Sequence, residues 1–179
     1  MNIEFGPDGC LYIADWYNKI VSHNELPRTD PSRDKTHGRI WRIRHESQKI
    51  PDIPNLFATA DDLLPKHLKA PSRWEQRAAW HQISDRQAKS TLPALKEIVL
   101  DTANTTSTRV HALWAFESLT EFDEPVLSTL IEDKNHNIRR EAIRSLASFN
   151  LPASQIVSLL KNKLDESSLC RSFTSAPNP

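Results

Sequence analysis

A chain of 179 residues that balances 23 lysines and arginines against 23 aspartates and glutamates has no net field to draw in nucleic acid, an anionic membrane surface or an acidic partner. Its three glycines, Gly6, Gly9 and Gly38, all fall in the first 38 positions, and the glycine-free remainder suits helices joined by short polar turns, so two unlike segments share the length. No apolar run approaches the roughly 18 residues that span a bilayer. Met1 leads straight into a strand-like stretch without a basic and apolar leader, so neither a transmembrane helix nor a signal peptide is expected.

Residues 2–16 read as strand, turn, strand. Ile3 and Phe5 alternate with polar neighbours, Gly6-Pro7-Asp8-Gly9 has the chemistry of a tight turn, and Leu11 to Ala14 is a short β-prone apolar run. Residues 17–38, polar and carrying Pro27 and Pro31, predict a long loop or surface excursion. Arg39-Ile40-Trp41-Arg42-Ile43-Arg44 then mixes basic and apolar residues as a strand with one buried face should. Three such strands cannot form a stable domain alone. Cys10 and Cys170 lie one in each segment, outside any CxxC or CxxCH, so both are expected as plain thiols, with no zinc ribbon or covalent haem site.

Pro51 and Pro54 mark an extended linker over 46–59. Beyond it the apolar period changes from two to about 3.6, predicting helices near 60–68, 72–84, 91–101, 106–119, 124–132, 136–148 and 153–165. A repeat underlies them. Aligning 76–83 with 109–116 and 139–146, at offsets of 33 and 30 residues, brings Ala79, Ala112 and Ala142 to one position. Trp80, Leu113 and Ile143 follow at the next, and Ile83, Phe116 and Leu146 close the face. The intervening helices match too, Pro93–Val99 against Pro125–Ile131 at an offset of 32, with proline in the first turn where its absent N–H is not needed. Each unit is thus a helix pair of about 30 residues that buries its faces only against its neighbours.

These pairs, over approximately 60–165, resemble HEAT repeats. The segment Phe5-Gly6-Pro7-Asp8-Gly9-Cys10-Leu11-Tyr12-Ile13-Ala14-Asp15-Trp16-Tyr17-Asn18, followed by Arg33-Asp34-Lys35-Thr36-His37-Gly38-Arg39-Ile40-Trp41-Arg42-Ile43, resembles the end of the propeller in bacterial membrane-bound dehydrogenase-like proteins. These are known from planctomycetes and verrucomicrobia and are similar to sorbosone dehydrogenase and to quinoprotein glucose dehydrogenase-fold proteins. The resemblance implies a mostly α chain: residues 1–45 as the last blade of a truncated β-propeller, 46–59 as linker, 60–165 as a HEAT-type α-solenoid and 166–179 as a disordered tail. It also implies quinone-linked oxidation of a sugar or alcohol by the parent protein, with pyrroloquinoline quinone or Ca²⁺ in the propeller and haem c in a further domain. A periplasmic or cell-envelope location follows from it, as does a protein partner for the helical repeats. No cofactor is expected in this chain itself. The alternative reading is a stand-alone HEAT-repeat protein-binding module without enzymatic activity, capped by the N-terminal strands.

Between the strands gather Asp15, His23, Asp30, Asp34, His37 and Arg39. A functional reading makes Asp15 and Asp34 metal ligands at the propeller mouth, and His37 and Arg39 cofactor-binding groups facing carboxylates. A structural reading has Asp15 and Asn18 capping a turn and His37-Gly38-Arg39 shaping the return into the strand. Arg109 and Arg139 share a repeat position and are expected to bond helix ends or carboxylates of the adjacent repeat. His111 beside Trp114 reads as a packed helix face, and Trp16 and Trp41 as propeller packing. Lys66, Lys69, Arg73 and Arg77 could form a solvated basic face. With no nucleophile elbow, phosphate-binding glycine loop or HExxH helix, no catalytic residue is assigned.

Overall fold

The computed structural model describes residues 2–15, 27, 29–34, 36–120, 122–149 and 151–164. Trp16, Asn18, His23, Cys170 and the expected tail at 166–179 lie outside the described residues. What is described is mostly α-helical, with one small sheet, as the composition predicted.

The sheet contains β1 (Asn2–Phe5), β2 (Leu11–Asp15) and β3 (Arg39–Ile43), ordered β1-β2-β3 and antiparallel throughout. The hairpin between β1 and β2 forms where the sequence placed it. Gly6 N–H donates to the Cys10 carbonyl at 2.9 Å and Gly9 N–H to the Gly6 carbonyl at 3.0 Å. Gly9 has φ +73°, which favours glycine, and a Cβ on Gly6 would sit 2.3 Å from the Tyr12 ring.

Register decides what this sheet presents. Ile3 pairs with Ile13 and Ile13 with Trp41; Phe5 pairs with Leu11 and Leu11 with Ile43. Because side chains alternate across a strand, these six apolar residues share one face. The other face carries Glu4, Tyr12 and Arg42 in one row. The apolar face is uncovered: Phe5 is 66% exposed, Ile3 53% and Trp41 50%. Here the structure departs from the expectation of a buried face on the third strand, since all of β3 is exposed. Among the described residues no second layer lies on it.

The helices are α1 (Leu64–His67), α2 (Arg73–Asp85), α3 (Leu92–Leu100), α4 (Thr106–Leu119), α5 (Glu124–Ile131), α6 (His136–Leu146) and α7 (Ala153–Leu164), with 3₁₀ turns leading into α1 and α3. Their starts have local causes. Ser72, Thr105, Asp123 and Asn135 cap α2, α4, α5 and α6 by accepting a first-turn amide, and proline stands in the first turn of α1, α3 and α5. Pairs α1–α2, α3–α4 and α5–α6 pack together; α2, α4 and α6 then form one row, and α3 neighbours α5 in a second.

Between the rows runs one continuous core that includes Leu64, Ile83, Leu95, Leu113, Leu130 and Leu146. Ala79, Ala112 and Ala142 have 0% exposure, so the aligned small residues do face inward, where helices of one row lie side by side. Ile83, Phe116 and Leu146 are buried as the register predicted. The position between them splits: Leu113 is buried, whereas Trp80 and Ile143 are half-buried.

Arg109 holds successive pairs together. Its side chain is 5% exposed; Nε donates to the Val99 carbonyl at 2.8 Å, at the end of α3, and Nη2 pairs with Asp133 ahead of α6. Arg139, one repeat later, donates to the Asp133 and Lys134 carbonyls at 2.8 and 3.0 Å. Arg109 does what the shared position predicted, whereas Arg139 is structural in another way, bonding the turn between α5 and α6. Arg86, not singled out by the sequence, anchors the linker: its guanidinium donates to the carbonyls of Leu56, Phe57 and Thr59 and to Asp61.

Candidate functional site

The acidic and basic residues between the strands form two small groups. Asp15 and Arg39, opposite each other in β2 and β3, make an ion pair at 2.8 Å at the end of the apolar sheet face. The Trp41 indole donates to the same Asp15 oxygen at 3.3 Å, and the Arg39 guanidinium lies 5.2 Å from the Trp41 ring centre. Asp34 accepts the amides of Thr36 and His37 and lies 2.8 Å from His37 Nδ1. The Thr36 amide, with the other donors and against a desolvation cost, brings the Asp34 carboxyl down to about 2. Asp30 accepts the Ser32 amide at 2.9 Å in a similar turn.

Calcium requires six to eight oxygen ligands. Among the described residues no three His, Cys, Asp or Glu side chains are placed to share a metal ion, and the partners described for Asp15 and Asp34 are donors. The described members of this set do not by themselves bring a calcium cradle together, and no chemical step is assigned to them.

A third acidic residue of this region, Asp8, is buried in the hairpin turn. It accepts the Cys10 amide and the Tyr12 hydroxyl, both at 3.0 Å, and pairs with Arg42 at 2.7 Å, while Gln48 donates to its carbonyl at 3.1 Å. Burial works to raise its pKa, but the Cys10 amide, the Tyr12 hydroxyl and Arg42 outweigh it and hold the carboxyl at about 2. Asp8 therefore ties the turn to β3 across 34 residues of sequence.

The helical row offers a larger feature. Trp80, Ser84, Trp114, Glu117, Ser118, Glu141, Arg144 and Ser148 line a groove of about 650 Å³ across α2, α4 and α6. The Trp80 and Trp114 rings are 4.9 Å apart, and the Trp114 indole donates to Glu141 at 3.1 Å. Arg144 bridges the two acids, at 2.6 Å from Glu117 and 2.9 Å from Glu141, and Ser145 adds a hydroxyl to Glu117. Burial opposes ionisation of both carboxyls, yet bonding from Arg144 keeps both below the usual range.

Above the groove the rings continue. His81 stacks on Trp80 at 4.5 Å, and His111 meets Trp114 edge-on at 5.3 Å while its Nδ1 lies 2.8 Å from the Ser107 carbonyl. The His111–Trp114 face expected from the sequence is therefore part of a four-ring surface. Of the basic residues grouped by the sequence, Arg77 reaches back to Glu4 of the sheet at 3.0 Å. Sequence alignment placed Trp80 in one apolar register with Leu113 and Ile143 and left Glu117, Glu141 and Arg144 unremarked. Their only advance signal was the tryptophans at 80 and 114, one position out of the 33-residue register that aligns Trp80 with Leu113.

Compared with known families, residues 1–47 match a domain of unknown function, DUF7133, a span that contains the whole sheet and ends before the first helix. No curated protein and no solved structure matches the chain.

Proposed function

We propose that this chain is a non-catalytic docking and spacing segment of a dehydrogenase-like β-propeller protein. In this reading the sheet is the closing blade and the helices form a HEAT-type α-solenoid that presents an interaction surface. One observation carries it: the helices bury their own core, whereas among the described residues the apolar face of the sheet stands open at Ile3, Phe5, Trp41 and Ile43, with Leu11 and Ile13 half-buried between them. Three strands about 4.8 Å apart, one four and two five residues long, cover roughly 220 Å², well below the roughly 800 Å² per partner of a stable interface. A face so small is better covered by a covalently linked sheet than by a separate protein, as blade packing requires. The parent's quinone-linked oxidation of a sugar or alcohol, and its cell-envelope location, belong to the same proposal through the family resemblance.

Dye binding and sedimentation test it. The chain should bind a hydrophobic dye and self-associate only weakly and with rising concentration, as a face too small for a stable interface requires, and a Phe5→Thr/Trp41→Thr variant should lose both behaviours with its helical circular dichroism intact. Quinone-dependent dye reduction by the purified chain should be absent; turnover would overturn the non-catalytic assignment. A monomeric chain that ignores the dye would instead support a stand-alone helical binding module capped by the strands, which the Glu4–Arg77 contact between sheet and α2 favours.

A further inference from the structure

The chain's neutrality conceals a local asymmetry on the row of helices. On α2, Arg73 and Arg77 stand one turn apart and lead to His81, beside the Trp80, Trp114 and His111 rings. Both arginines and His81 are exposed. The carboxylates nearest the rings are spent internally, Glu141 on Arg140, Arg144 and the Trp114 indole, and Glu117 on Arg144 and Ser145. Arg140 itself remains 70% exposed. Arg77 pairs with Glu4 at 3.0 Å, but both side chains are about 60% exposed, and an exposed pair of this kind is weak enough for a peptide carboxylate to displace. The surface thus offers Arg73, and Arg77 in exchange for Glu4, beside an aromatic platform whose nearest acids are held by Arg140 and Arg144.

The field is felt at His111. Burial depresses its pKa first, its bond to the Ser107 carbonyl resists, and Arg73, Arg77 and His81 push further in the direction of burial. Three basic groups on α2 therefore act together on one point of α4.

The geometry points to this surface as the docking site for an acidic, extended peptide segment, its carboxylates meeting Arg73 and Arg77 and an aromatic or aliphatic side chain resting on Trp80 and Trp114. This rests on the reading of the helices as an interaction surface and names the chemistry of the partner. Charge complementarity selects the occupant. A nucleic-acid strand would bring a continuous line of phosphates towards Glu117 and Glu141, whereas a peptide can place its carboxylates at α2 and leave the groove to uncharged residues.

The test is calorimetric titration of the full chain with three probes: a capped nine-residue peptide repeating Glu-Asp-Phe, its Gln-Asn-Phe counterpart, and a single-stranded oligothymidylate. The acidic peptide should bind at least about tenfold more tightly than either of the others and weaken with added salt. Arg73→Glu with Arg77→Glu should remove about tenfold or more of that affinity. Lys89→Glu, an exposed reversal at the turn before α3, should leave it unchanged, with circular dichroism confirming that each variant folds. The uncharged variant Trp80→Leu should weaken both peptides by the same factor, which reads the aromatic contact separately from charge. Equal binding of the neutral peptide would overturn the acidic specificity yet leave the helices an interaction surface. Tighter binding of the oligothymidylate would overturn the choice of a peptide. Absence of binding by all three would overturn the docking site itself, independently of the outcome for the sheet face.

Discussion

The sheet and the helical row solve the same problem with opposite results. Each has an apolar stripe at the period its secondary structure demands, but only the helices find partners for theirs within the described residues. The row of α2, α4 and α6 covers Ala79, Ala112 and Ala142 completely, while the three-stranded sheet leaves Phe5 and Trp41 half exposed or more. The lesson is that an apolar pattern specifies a face and leaves open what covers it. A helical repeat supplies its own cover because the next unit follows in the chain; a single small sheet needs another layer.

That contrast can be broken most forcefully at Arg109. Arg109→Ala leaves Asp133 without its buried partner and the Val99 carbonyl without a donor, and should cost about 3–5 kcal/mol in urea unfolding followed by helical circular dichroism. A loss below about 1 kcal/mol would show that the helix pairs hold without this link. Ala112→Leu should cost about 1–3 kcal/mol in the same assay by forcing apart helices that meet at a fully buried position.

On the sheet side the effects are smaller and acid-gated. Asp8 has its folded pKa lowered from 3.8 to about 2, so its ionised form favours the fold. Its contribution is complete above pH 3.8 and is lost as pH falls through about 2. In a Cys170→Ser background, the buried Cys10 thiol should resist an acid-competent disulfide reagent above that window and become reactive below it. Reactivity already at pH 5 would show that the turn does not depend on the Asp8 carboxylate. Smallest of all, Ile3→Thr should change stability by no more than about 0.5 kcal/mol, because its side chain is already 53% exposed. A cost of about 2 kcal/mol would mean that something covers the face.

Much of the helical part was legible because its signals are local. Pro93 and Pro125 mark first turns and the alanine register names the inward positions, whereas the caps Ser72, Thr105, Asp123 and Asn135 went unread. Arg109 and Arg139 were readable as structural for the same reason. Other features depend on residues far apart in sequence. Asp8 looks like an ordinary turn residue until Arg42 reaches it, and the groove exists only once Trp80, Trp114 and Glu141 come together from three helices. Trp80 shares its register with fully buried Leu113 yet packs only partly buried against the edge of the core, a difference that the register alone does not give. Asp15 and Asp34 attracted a metal-binding reading from their place between the strands of a propeller-like segment, and the partners described for them are Arg39 with Trp41 and His37 with backbone amides.

Hydrogen–deuterium exchange of the full chain, resolved along the sequence, tests the contrast between the two regions most directly. The account predicts slow exchange for the interior amides of α2 to α6 and fast exchange for β1 and β3, whose outer strands lie open to solvent beside an uncovered face. Equal protection of sheet and helices in the monomeric chain would contradict it, because the sheet would then be stabilised as fully as the helical core.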